Sequence, residues 1–224
     1  MSQNESNPCR RCGTCCQKGG PGLHLEDRAL VDSGRIPVRH LFTIRSGELA
    51  RDDIKGTLAP VEAEIIKIKG CPGSWTCHYY DQANRGCRIY DRRPLECRAL
   101  NCRDTQRIEA VVATKRLTRR DLLADIQGLW ELVDDHERRC SHALLRSLAD
   151  EGMRGGRLRQ ERAILEILRF DAHIRELTVK QGGMDARMLD FVFGRPLADT
   201  INAAGIRLIR KNGAYGLVRQ PAEA

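Results

Sequence analysis

Cys9-Arg10-Arg11-Cys12-Gly13-Thr14-Cys15-Cys16 places four thiols within eight residues. Five more follow at Cys71, Cys77, Cys87, Cys97 and Cys102, and only Cys140 stands apart from the first 102 residues. Thiols this dense either pair as disulfides or hold metal. Adjacent Cys15 and Cys16 would each need a separate disulfide partner. The stretch Met1–Pro8 is polar and unlike a secretory leader, so the expected compartment is the cytoplasm, where thiols stay reduced. Reduced thiols at Cys-x2-Cys spacing are a metal ligand set. Zinc is gripped by such pairs, and iron–sulfur clusters take four thiolates each.

The Cys9-x2-Cys12-x2-Cys15 spacing matches the first three ligands of a bacterial ferredoxin run, but Gly19 stands where the fourth would be. Cys16 follows at once instead. Two neighbouring thiolates strain a single tetrahedral ion, so Cys15 and Cys16 are expected to point apart. Cys9, Cys12, Cys15, Cys16, Cys77, Cys87, Cys97 and Cys102 make eight ligands, enough for two sites of four. The cofactor is then one or two iron–sulfur clusters, or zinc. Cys71 and His78 are possible extra ligands, with His24 and His40 behind them. Cys140 falls in a helical stretch and reads as an ordinary buried thiol.

Arg10, Arg11, Arg88, Arg92, Arg93, Arg98 and Arg103 each lie within five residues of a cysteine. Guanidinium groups there would offset the negative charge of a tetrathiolate centre. Arg93 and Arg98 are expected beside the sulfurs, with Tyr79, Tyr80 and Tyr90 as walls around them. No catalytic residue can be named. Gly19-Gly20-Pro21-Gly22 lacks the Lys-Ser/Thr pair of a phosphate loop, and no Ser–His–Asp pattern stands out.

Outward from the cysteines, the chain reads as α+β. A small irregular cysteine-cluster domain with short strands spans residues 9–104 after a flexible tail, 1–8. A mainly helical domain, 105–224, ends in a β-hairpin. Within the first domain, Glu26–Ser33 suits a short helix closed by Gly34, and Val38–Ile44 and Leu58–Lys69 suit extended chain. Two short strands around Asn84-Arg85-Gly86 would bring Cys77 and Cys87 together. Pro94 starts a short helix carrying Cys97, with a break near Leu100-Asn101. Thr118-Arg119-Arg120-Asp121 opens a helix running through Leu122 to Val133 at helical spacing. Helices over Ser141–Glu151, Arg157–Leu177 and Met184–Phe193 follow. Asn212-Gly213 then turns a hairpin between Ile206–Arg210 and Ala214–Val218.

Two of these motifs together resemble a known family. Cys9-x2-Cys12-Gly13-x-Cys15-Cys16, followed by Cys77-x9-Cys87-x-Ile89-Tyr90-x2-Arg93-Pro94-x2-Cys97-Arg98, is similar to the YkgJ-type cysteine-cluster family of zinc- or iron-chelating domains. The resemblance covers roughly residues 9–104. It implies metal chelation and redox chemistry, with Cys9, Cys12, Cys15, Cys16, Cys77, Cys87 and Cys97 as the shared cysteines. Cys71 and Cys102 fall outside that shared pattern. A related cluster occurs in flagellin lysine methylases.

The formal charge is +8. Cut at residue 104, each part carries +4 (17 basic against 13 acidic, then 21 against 17), so no segment concentrates the excess. The leading expectation is a metal protein giving redox or electron-transfer support to a protein partner. The alternative is a structural zinc module that binds nucleic acid or protein. An enzyme using the centre as electron source or Lewis acid is a third reading, without a cofactor fingerprint. No apolar run approaches the roughly 18–20 residues of a membrane span.

Overall fold

Short apolar runs cut by glycine and proline give short elements. The computed structural model describes residues 9–52, 56–152, 160–211 and 214–219. In chain order it contains α1 (Thr14–Gln17), α2 (Arg28–Asp32), β1 (Leu41–Ile44), β2 (Leu49–Asp52), β3 (Thr57–Pro60), β4 (Ile65–Ile68), β5 (Tyr80–Asp81) and β6 (Gly86–Cys87). Then come α3 (Leu95–Ala99), α4 (Gln106–Val112), α5 (Arg119–Leu123), α6 (Leu129–Arg139), α7 (His142–Gly152) and α8 (Glu161–Lys180). The chain closes with α9 (Leu189–Val192), α10 (Leu197–Thr200), β7 (Ile206–Lys211) and β8 (Ala214–Arg219). The class is α+β, with short antiparallel strand pairs and mainly helical later residues.

The chain forms two compact units, and each is discontinuous. The cysteine unit is Met1–Leu41 with Ile65–Thr118; the helical unit is Phe42–Glu64 with Arg119–Ala224. The boundary expected at residue 104 therefore moves to 118, and 42–64 leaves the cysteine unit. The physical reason is polar. Thr43 Oγ1 donates to Phe191 O at 2.7 Å, Arg45 Nη2 donates to Cys140 O at 3.0 Å, and Glu64 Oε2 pairs with Arg119 Nη2 at 2.7 Å.

In the cysteine unit, residues 22–24 run between two other stretches. Leu23 N bonds Ile66 O at 2.8 Å, and Leu117 N bonds Leu23 O at 3.1 Å. Leu23, Ile36, Ile66, Ile68 and Leu117 are at most 1% exposed and form the core. With so few large apolar side chains, this is a small core for a cysteine-rich unit.

In the helical unit, Cys140, Leu145, Ala149, Ile164, Leu168, Leu197, Ile201, Ile206 and Leu217 make one apolar cluster. β7 pairs with β8 from Ile206↔Arg219 to Lys211↔Ala214, the hairpin expected there; its Asn212-Gly213 turn lies outside the described residues, as do residues 157–159 of the expected third helix and the 1–8 tail.

Four expected elements are broken. The extended run over Val38–Ile44 is a 3-10 turn at Val38–His40 followed by β1. The single helix expected through Leu122–Val133 is split by a turn over 124–128 into α5 and α6, with Gly128 (φ 77°) in a left-handed conformation at the N-cap of α6. The extended run over Leu58–Lys69 splits into β3 and β4. Met184–Phe193 is a 3-10 turn at Ala186–Met188 followed by α9. Helix α10 was not anticipated; Pro196 at its N-cap is the available signal.

Candidate metal centre

Three loops of the cysteine unit carry the thiols, and specific contacts bring the loops together. Gly13 (φ 81°) opens α1, which holds Cys15 and Cys16. Cys77 N bonds Cys16 O at 2.6 Å, tying the first loop to the second. The turn at 72–74 closes back through Cys71 N to Thr76 O (2.7 Å) and the Gly70↔Cys77 bridge. β5 pairs with β6 so that Tyr80 lies opposite Cys87.

Cys97 rides on α3, which is pinned at two points. Asp27 accepts from Leu95 N at 2.9 Å, capping the helix, and from His24 N at 3.0 Å. Glu96 accepts from Gly22 N at 2.6 Å and meets His24 Nε2 (3.2 Å) and Arg116 Nη1 (3.3 Å). His24 Nδ1 lies 2.9 Å from Thr114 Oγ1. His24 is thus engaged in holding Glu96. Asp27 and Glu96 were missed in the sequence, where an acid on a short helix looks like any solvated charge.

Cys15, Cys16, Cys77, Cys87 and Cys97 lie near enough for their charges to act on one another. Burial, then the charges of Cys77, Cys15 and Cys87, push the Cys97 thiol up. Burial also raises Cys77, with Cys87 and Cys71 adding to it. Cys16 is raised by its hydrogen bond to Cys15, by burial and by the charges of Cys15, Cys77 and Cys97. Cys15 is held down to about 6, chiefly by the Cys16 thiol and further by Arg93. The Cys15 and Cys16 sulfurs are 4.0 Å apart, so they lie together, at the spacing of neighbouring corners of one site and not of separate metals. Cys71 borders the group beside Cys77, whereas Cys9, Cys12 and Cys102 are exposed. The eight sulfurs expected to share two sites are therefore not drawn together evenly.

Residues 8–114 match the family model CxxCxxCC, described as "Putative zinc- or iron-chelating domain". This stretch is similar to that YkgJ-type family of zinc- or iron-chelating domains. No curated protein and no solved structure matches the chain.

The donor set of the chelating domain fits a metal. Buried, crowded thiols resist ionising together, and a cation reverses that by binding them as thiolates. The surrounding cations suit the resulting anion. The Arg93 guanidinium lies 3.7 Å over the Tyr90 ring and that of Arg11 4.1 Å over the same ring. Arg93 Nε is buried without a hydrogen-bond partner. Arg98 Nη1 donates to Arg93 O, and Arg88 Nη2 donates to His78 O. His78 stacks on His40 with ring centroids 4.0 Å apart, and His40 Nδ1 meets Tyr79 Oη at 2.9 Å.

Within the helical unit, His136, Cys140 and Asp171 also place ligand atoms within 4.8 Å of one another. Two guanidinium groups already serve as cations there. Asp171 Oδ1 meets His136 Nε2 at 2.7 Å and accepts from Arg175 Nε at 2.9 Å, and Oδ2 accepts from Leu197 N at 2.9 Å. Arg45 Nη1 lies 3.4 Å from His136 Nδ1. This group is an ion-paired polar core that leaves one buried donor, Arg45 Nε, without a partner among the described residues, and Cys140 is 0% exposed within it. Among the described residues, no helix is long and apolar enough to cross a membrane.

Proposed function

We propose that the chelating domain holds one iron–sulfur cluster through Cys15, Cys77, Cys87 and Cys97 and gives redox support to a protein partner. One observation carries this reading. A single zinc ion with bonds of about 2.3 Å would draw four sulfurs to roughly 3.8 Å from one another. Among the described residues, no three cysteine sulfurs lie within 4.8 Å of one another. No cysteine triple among them is thus gathered as tightly as one zinc tetrahedron requires, and a cluster that binds each thiolate to a different iron asks for wider spacing.

Bound there, such a cluster supplies a reversible one-electron couple. The chain's own residues have separate tasks. Asp27 and Glu96 fix the Cys97 helix, the Cys16 thiol donates to the Cys15 sulfur, and Arg93 faces the charge of the centre. A structural zinc site is the second reading. The 4.0 Å Cys15–Cys16 spacing favours it, being close to one edge of a zinc tetrahedron.

Anaerobic purification followed by iron, sulfide and zinc analysis tests the choice. Iron and sulfide are expected at roughly four of each per chain, with broad visible absorbance. Cys77→Ala or Cys87→Ala should abolish both, whereas Cys9→Ala and Cys102→Ala should retain them. A colourless protein holding only zinc would sink the iron–sulfur reading.

A further inference from the structure

The formal charge is divided unevenly between the two units. The cysteine unit carries 17 basic and 9 acidic side chains, net +8, and the helical unit carries 21 of each, net zero. A cut at residue 104 hides this, because 42–64 is net −2 and 105–118 is net +2. All of the chain's excess charge therefore belongs to the unit with the gathered thiols. A tetrathiolate cluster of formal charge −2 would remove about two of the eight charges.

One edge of that unit combines cations with an exposed aromatic. Backbone bonds bring three of its cations side by side: Lys69 N bonds His40 O at 2.8 Å, His78 N bonds Lys69 O at 2.9 Å, and Arg88 N bonds Tyr79 O at 2.9 Å, while Arg39 precedes His40 and the Arg88 guanidinium is tied to the His78 carbonyl. Arg39 and Arg88 are exposed. Asp81 is the acid whose charge meets Arg88, and its carboxylate is engaged by Asn84 N at 3.1 Å and Asn84 Nδ2 at 2.8 Å. Trp75, 68% exposed, sits on the turn between Cys71 and Cys77. Its backbone passes next to Gly70, which follows Lys69 in the chain, and a large indole left in water on such a turn has the composition of an interface anchor. His78 adjoins Cys77 in the chain and Arg88 adjoins Cys87, so this edge borders two of the four proposed ligands.

We propose that Arg39, Lys69, Arg88 and Trp75 form the docking surface for an acidic one-electron carrier protein; this rests on the iron–sulfur reading above. Charge complementarity selects the acidic partner and would speed its encounter. The cations are carried by neighbouring stretches around the His40–His78 ring pair, which suits a compact acidic patch. A polynucleotide would instead call for cations strung along a track of phosphates. Electron-transfer encounters bury little surface, under roughly 1,200 Å², which a few cations and one indole can supply.

The test titrates the full chain, purified anaerobically with its centre, with a plant-type ferredoxin as the acidic probe. A basic cytochrome c and a single-stranded oligo(dT) serve as comparison probes. The ferredoxin should bind, more weakly as salt rises, and the comparison probes should not. Arg39→Glu and Trp75→Ala should each weaken binding about tenfold, whereas Arg207→Glu, in the helical unit, should leave it unchanged. An unchanged Kd in both surface variants, or no ferredoxin binding at all, overturns the docking surface. Oligo(dT) binding that is lost in the same variants would replace the carrier with a polynucleotide. Iron and sulfide are measured on the same samples. Their absence sinks the iron–sulfur reading, whereas their presence without ferredoxin binding sinks only the docking proposal.

Discussion

Gly13 packs so closely on Tyr80 that a Cβ at position 13 would lie 2.1 Å from the phenol oxygen and 2.5 Å from the ring carbon bearing it. The same glycine has φ 81°, a left-handed conformation that side chains resist. Gly13→Ala should therefore destabilise the cysteine unit by about 1–3 kcal/mol and reduce its metal content. Thermal melting and metal analysis read both effects. Tyr80→Phe should not rescue it, because the ring carbon itself is in the way.

Arg93 offers a buried Nε–H that nothing among the described residues accepts. A metal-bound sulfur is the acceptor the site would supply. Arg93→Lys keeps the charge but loses the planar stack on Tyr90 and that donor. It should release metal to a chelator about 10- to 100-fold more readily than the wild type, while the metal-free chains melt alike. Equal metal retention would confine Arg93 to bracing Tyr90.

Arg119, 2% exposed, spends its guanidinium on Glu64 Oε2 (2.7 and 2.8 Å), Glu137 Oε1 (2.8 Å) and Val192 O (2.7 Å). Burial alone would raise Glu137; the charges of Arg45 and Arg119 overcome that and hold it below the usual carboxylate range. Arg119→Met leaves two carboxylates short of a cation, at a cost of roughly 3–5 kcal/mol. Adding Glu64→Gln should recover part of the loss in urea denaturation. A double variant no better than the single one would contradict the account.

His136 is held neutral in the folded chain. Burial first, then the charges of Arg45 and Arg175, push its pKa below 6.5 against the pull of Asp171. Below that pH the unfolded chain takes up a proton that the folded chain refuses. Stability of the helical unit should therefore fall as pH drops beneath about 6.5, by at most about 1.4 kcal/mol per pH unit. Glu48, Glu137 and Asp171, all shifted down, extend the loss into the carboxylate range. Urea melts between pH 7.5 and 5.5, followed at Trp130 in α6, check this. His136→Gln should flatten the slope, and an unchanged slope would assign it to other groups.

Local features were legible in the sequence and long-range ones were not. The Cys77/Cys87 hairpin, the Pro94 start of α3 and the β7–β8 hairpin each follow from a few adjacent residues. The turn over 124–128 between α5 and α6 was hidden because apolar spacing continues through it; Gly128, at the N-cap of α6, is the local signal. The exchange of 42–64 between units rests on pairs such as Glu64–Arg119, where both partners look like surface charges until burial is known. Within the site, the thiols were evident from spacing. The inward face of Cys16 and the supports at Asp27 and Glu96 depend on how separate loops meet.

Because each unit is assembled from two separated stretches, synthesis cannot finish one before starting the other. As the ribosome emits residues 42–64, Arg45, Glu48 and Glu64 are already present while Arg119, Glu137 and Arg195 are still unmade. A nascent chain ending at Thr118 holds every gathered cysteine, yet carries an interior segment whose counter-ions have not been translated. Completion of the cysteine unit and closure of the helical unit are thus ordered events, set by where the two stretches fall along the message.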